Sequence, residues 1–187
     1  MASTTDGVNV AANGLTLLLG GVRSGKSDLA VQIGCRFNGD VTFVATATPF
    51  DNDMATRIAR HQLDRPAWPT IDAPTDIEAA LISAPPNHLV IVDCLTVWLG
   101  NALFESRKEP EILDAARSAA SAAVHRTGPT VVVTNEVGMG VHPETELGRS
   151  YGDLLGRVNR IWAHAAHRAL LIVAGRATPL HDPWEFL

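Results

Sequence analysis

The residues best suited to chemistry begin at a glycine-rich run, Gly20-Gly21-Val22-Arg23-Ser24-Gly25-Lys26-Ser27. It matches G-x-x-x-x-G-K-[ST] at every fixed position. Leu15-Thr16-Leu17-Leu18-Leu19 before it reads as a buried strand, and Asp28-Leu29-Ala30-Val31-Gln32-Ile33 after it opens a helix. That context is what the mechanism needs. Backbone N–H groups of such a loop wrap the phosphates of a nucleotide, and the helix N-terminus adds partial positive charge. Lys26 would reach the β- and γ-phosphates, and Ser27 would offer its hydroxyl to Mg²⁺. The run therefore implies binding of a nucleoside triphosphate.

Other candidates stand at the ends of apolar runs. Asp93 follows Leu89-Val90-Ile91-Val92, the pattern of an acid that holds Mg²⁺ next to a P-loop. It also reads as an acidic strand-end cap. Asn135-Glu136 ends the run from Thr130 to Thr134, and Glu136 reads as a second carboxylate for metal or general-base work, or as a solvated loop acid. Thr46 closes Val41-Thr42-Phe43-Val44-Ala45, where it contacts nucleotide or satisfies the turn. His61 falls in the last turn of a helix expected from Asp51, on one face with Met54 and Ile58. Spacing alone reads it as a partly buried histidine near a helix C-terminus. The other histidines show no metal-ligand spacing. No N-K-x-D follows any strand, which weighs against a regulatory GTPase.

Alternating strands and helices must position these groups. Trp68 to Pro74 reads as extended and irregular, and Thr75 to Ser83 as a short helix. Leu95 to Phe104 reads as helical despite Gly100-Asn101, and Glu109 to Arg126 as an alanine-rich helix stopped by Gly128-Pro129. Leu147, Tyr151, Leu154, Leu155, Val158, Ile161, Trp162 and Ala165 trace the apolar stripe of a long helix. Leu170 to Ala174 is a last strand, and Gly175 to Leu187 reads as a short tail. Continuous apolar strands between helices predict an α/β fold, a mostly parallel sheet with helices on both faces. Ligands then gather at the carboxyl ends of the strands.

The length of 187 residues suits a single domain, expected over residues 14–187 after a loose tail at 1–13. A net charge of -5 argues against a general binder of nucleic acid or membrane surfaces. Only Lys26 and Lys108 among fifteen basic residues are lysines, which makes the P-loop lysine conspicuous. Cys35 and Cys94 read as small buried residues of a reducing cytosol. No apolar run approaches membrane-spanning length, and the first residues lack a signal peptide's pattern, so a cytoplasmic protein is expected.

Taken together, these motifs resemble the bifunctional adenosylcobinamide kinase/adenosylcobinamide-phosphate guanylyltransferases of cobalamin biosynthesis. The resemblance rests on the P-loop, Ala45-Thr46 with Asp51, Asp53 and Met54, Arg57-Ile58 with His61 and Arg65-Pro66, and Val92-Asp93-Cys94-Leu95-Thr96. It continues through Thr134-Asn135-Glu136-Val137-Gly138-Met139-Gly140 with Pro143, and Gly156-Arg157-Val158-Asn159. It implies two reactions on one RecA-like P-loop scaffold: phosphorylation of adenosylcobinamide by ATP or GTP, then transfer of GMP from GTP to that phosphate. It further implies a GMP-histidine intermediate on His61, with Lys26 as the other catalytic group. The implied nucleotide contacts are the P-loop residues, Ala45, Thr46, Ala47, Gln62, Leu63, Asp64, Arg65, Asp72 and Asp93. Mg²⁺ falls to Ser27 and Asp93, and the family assembles as homotrimers. A P-loop kinase for another small-molecule alcohol, or a nucleotide-sensing module, shares the P-loop but needs no nucleophile at His61.

Overall fold

The computed structural model describes residues 14–49, 63, 65–141 and 143–187. The expected tail at 1–13, the Asp51-to-His61 helix and His142 lie outside the described residues. The chain runs β1 (Leu15–Gly20), α1 (Lys26–Arg36), β2 (Val41–Ala45), β3 (Thr70–Asp72), α2 (Ile77–Ser83) and β4 (Leu89–Asp93). It continues through α3 (Leu95–Phe104), α4 (Glu109–His125), β5 (Thr130–Val133), α5 (Glu146–Ala165), β6 (Arg168–Val173), β7 (Arg176–Leu180) and a 3₁₀ turn at Pro183–Phe186.

One seven-stranded sheet has the order β3-β2-β4-β5-β1-β6-β7. Every pairing is parallel except β6 with β7. β1, β4 and β5 lie inside this sheet, which is why their apolar runs are continuous: both faces of each are covered. Alternate side chains go to opposite sides. Leu15, Leu17 and Leu19 join Val90, Val92 and Val132 in a core with α2, α3, α4 and α5. Leu18, Ile91, Val131 and Val133 face α1 instead. Trp98 and Trp162 are fully buried in the larger core.

Four expectations are corrected. The segment read as extended and irregular from Trp68 is extended but also paired: it contains β3, which sets Phe43 against Thr70 and Ala45 against Asp72. At three residues it is too short to show a period in sequence. The supposed tail holds β7, an exposed edge strand that tolerates Pro179 because an edge position need not donate to the ladder. Its hairpin turns on Ala174 and Gly175, at φ 49° and 73°. Two-residue hairpins need positive φ there, but Ala-Gly announces the turn far less clearly than Asn-Gly. Leu147, placed on the α5 stripe, is 76% exposed in the first turn of that helix. The buried stripe is Leu154, Leu155, Val158, Asn159 and Trp162.

The fourth correction is Cys35, which is exposed on α1, beside the buried positions Ala30 and Gly34. Cys94 behaves differently. Burial, with Asp93 adding to it, pushes its thiol up to about 12. The folded protein therefore keeps this proton where an unfolded thiol loses it, so the group's contribution to stability is intact below about pH 9 and lost between there and about pH 12. A thiol-reactive disulfide at pH 8 is expected to titrate Cys35 quickly and Cys94 only after denaturant is added. Equal rates for both in the native protein would contradict this burial.

Candidate active site

The P-loop leaves β1 at Gly20, whose φ is 152° and whose place only glycine fits: a Cβ there would stand 2.2 Å from the Ile172 carbonyl oxygen. The loop closes at Gly25, at φ 99°, the N-cap of α1. The Gly175 N–H donates to the Ser24 carbonyl at 2.9 Å, so the β6–β7 turn braces the loop from outside. Sequence reasoning missed that brace because it left Gly175 in a tail.

Lys26 opens α1 and is 5% exposed. Its Nζ donates to the Gly21 carbonyl at 2.6 Å and the Ser24 hydroxyl at 3.3 Å. Burial lowers its pKa, opposed by the charges that Cys94 and Asp93 carry when ionised. The lysine is thus a desolvated cation held by neutral oxygens and close to Asp93. An incoming phosphate supplies the anionic partner that the loop oxygens do not. Ser27 stands next to it in the first turn of α1.

The neighbouring strands end on the same edge. Register places Ala45 beside both Asp72 on β3 and Asp93 on β4. Asp93 is half-buried and Asp72 exposed. Thr46 is fully buried, and its hydroxyl donates to the Cys94 carbonyl and accepts from the Cys94 N–H at 2.9 and 2.8 Å. Its side chain therefore locks β2 to the end of β4. Asn101, of the Gly100-Asn101 pair that counts against a helix in sequence, donates to the carbonyls of Thr46 and Pro74. A buried amide within α3 thus fixes the end of β2, with Ala47 following directly.

Arg65 stacks over the Phe43 ring, 4.0 Å from its centroid, and donates to the Thr70 hydroxyl. Burial lowers its pKa and the charge of Asp93 opposes that shift. Arg65 and Lys26 thus both feel Asp93 across the strand ends. Leu63 is 86% exposed. His61, Gln62 and Asp64 lie outside the described residues.

β5 separates β4 from β1, so the turn after it stands between Asp93 and the P-loop. The Glu136 N–H donates to the Gly20 carbonyl at 3.1 Å, and its Oε1 accepts from the Gly138 N–H at 2.7 Å. Glu136 is therefore a neighbour of the P-loop through its backbone.

Residues 16–180 match the family described as cobinamide kinase / cobinamide phosphate guanyltransferase. The bifunctional adenosylcobalamin biosynthesis protein CobP of Pseudomonas aeruginosa is 40% identical over 167 residues, covering 88% of this chain and 95% of that one. CobU of Escherichia coli K12, under the same description, is 36% identical over 176 residues, covering 86% and 96%. Among solved structures, a prototypical type III secretion system ATPase is similar at a TM-score of 0.56 and 12% identity, over 89% of this chain. The chain spans 56% of that ATPase. A KaiC-like protein of Pyrococcus horikoshii OT3 is similar at a TM-score of 0.50 and 15% identity. Those likenesses speak to the fold alone, a P-loop NTPase-like sheet. The match over residues 16–180 and the identity to both relatives place the chain in the cobinamide kinase / cobinamide phosphate guanyltransferase family.

Proposed function

We propose that the chain phosphorylates adenosylcobinamide with ATP or GTP and then transfers GMP from GTP to the product, giving adenosylcobinamide-GDP and pyrophosphate. The observation that carries this reading is Lys26 lying within the electrostatic reach of Asp93, with Ser27 next in the first turn of α1, in a chain of this family. In the first step the P-loop holds the triphosphate and the substrate hydroxyl attacks the γ-phosphorus, losing its proton as the bond to the β,γ-bridging oxygen breaks and ADP or GDP leaves. In the second, His61 attacks the α-phosphorus of GTP, pyrophosphate leaves, and the phosphoramidate passes GMP to the substrate phosphate. Neutral imidazole is a good nucleophile near pH 7, and its protonated phosphoramidate is a reactive donor. Gln62, Leu63, Asp64, Arg65, Ala45, Ala47, Asp72 and Asp93 are assigned to the nucleotide around that chemistry, and the buried Thr46, its hydroxyl tied to Cys94, supports the strand end they share.

Mg²⁺ suits this donor set. Ser27 and Asp93 offer hard oxygens, and among the described residues no cluster of three or more His, Cys, Asp or Glu forms a dedicated metal cage. Ser27 and Asp93 would hold such a cation beside the phosphates, where it would supply charge neutralisation. A cytoplasmic homotrimer completes the proposal. Support for assembly comes from Val173, Trp184, Phe186 and Leu187, large apolar side chains exposed along the last hairpin and turn. Among the described residues, no helix is long and apolar enough to cross a membrane.

Incubation with GTP alone tests the two-step reading. The intact protein is expected to gain the mass of one GMP. No adduct, with cobinamide phosphorylation intact, would leave a kinase without guanylyl transfer.

A further inference from the structure

Asn159 is a polar residue where α5 should be apolar. It is 4% exposed, between Leu155 and Trp162 in the buried stripe. A buried amide costs stability unless both of its ends are partnered. Here they are: Oδ1 accepts from the Thr134 hydroxyl at 2.7 Å, and Nδ2 donates to the Asn135 carbonyl at 3.0 Å. The Asn135 N–H donates in turn to the Thr96 hydroxyl at 2.8 Å, and the Tyr151 hydroxyl donates to the Thr96 carbonyl at 2.8 Å. Both backbone polar groups of Asn135 are therefore held by side chains, one from α3 and one from α5. The next residue, Glu136, is tied to Gly20 of the P-loop.

We propose that Asn159 is a positioning residue for phosphoryl transfer: it holds the Asn135–Glu136 turn so that the Glu136 carboxylate accepts a hydrogen bond from the substrate hydroxyl beside the P-loop. The inference rests on the kinase reading above. A leucine at this position would fill the stripe without needing partners, so the amide is stabilised only through the turn it fixes. The turn lies between Asp93 and the P-loop, where an acceptor must approach the γ-phosphate. Loss of the tether leaves the phosphates held but the acceptor misdirected, and a misplacement of that kind costs about 10²-fold in rate.

A double-mutant cycle between Asn159→Leu and Glu136→Gln tests it, with kcat read on adenosylcobinamide and ATP and nucleotide affinity read separately. Asn159→Leu keeps the γ-branched outline and the number of side-chain heavy atoms, in a somewhat bulkier side chain, and removes both hydrogen bonds. It is expected to lower kcat about 10²-fold and leave nucleotide Kd within about threefold. Because it acts through Glu136, it should cost little more in the Glu136→Gln background. Multiplying losses would overturn the inference, as would a nucleotide Kd that weakens in step with kcat. If Asn159→Leu does not fold, Thr96→Val cuts the other tether of Asn135 and is read in the same cycle. A parent protein that makes no adenosylcobinamide phosphate overturns the functional reading and this inference with it. An active parent whose variants multiply overturns this inference alone.

Discussion

Lys26→Ala is expected to abolish both reactions while leaving the protein folded. Each step needs the same triphosphate held and neutralised, one at its γ- and one at its α-phosphorus. Loss of a single preorganised charge-stabilising donor costs on the order of 10³ in rate, about 4 kcal/mol of barrier. Lys26 is desolvated and its pKa lowered, so its charged form is held at a cost to the folded state. The melting temperature of Lys26→Ala should therefore stay close to the parent's or rise. Turnover within a few-fold of the parent in either step would show that the two reactions do not share this site. A collapse in stability would return Lys26 to a structural role.

His61→Asn divides the two reactions where Lys26→Ala joins them. GTP labelled at the α-phosphate should tag the parent protein, and GTP labelled at the γ-phosphate should not. The adduct should be acid-labile and stable to alkali, as a phosphorus–nitrogen bond is. The asparagine variant should lose the tag entirely and with it all formation of adenosylcobinamide-GDP. Phosphorylation of adenosylcobinamide should persist within about tenfold, since that step needs positioning and no covalent enzyme intermediate. A folded His61→Asn protein that still takes up α-label would assign the chemistry to another residue.

The P-loop was legible because its signature is local: glycines, lysine and serine at fixed offsets between an apolar run and a helix. The parallel sheet was legible for a related reason, since strands covered on both faces leave unbroken runs such as Leu89–Val92 and Thr130–Val133. What escaped sequence reading depends on distant pairing. β7 reads as a tail because its exposed residues carry no apolar pattern, and only pairing with β6 makes it a strand. The brace from Gly175 to Ser24 joins residues far apart in the chain, and no spacing rule reaches that distance. Thr46 was read as nucleotide contact or turn, and its hydroxyl is spent on Cys94 across two strands. Asn159 was visible as part of a motif, yet its physical reason appears only when Thr134 and Asn135 are brought against it. Local geometry writes itself into sequence; a buried polar bond between elements does not.

The products made from adenosylcobinamide, ATP and GTP together, separated and identified by mass, test the two-step activity most directly. Adenosylcobinamide phosphate is expected as an intermediate, adenosylcobinamide-GDP as the end product, and one pyrophosphate for each GMP transferred. Unchanged adenosylcobinamide, with the protein folded and nucleotide bound at the P-loop, would contradict it.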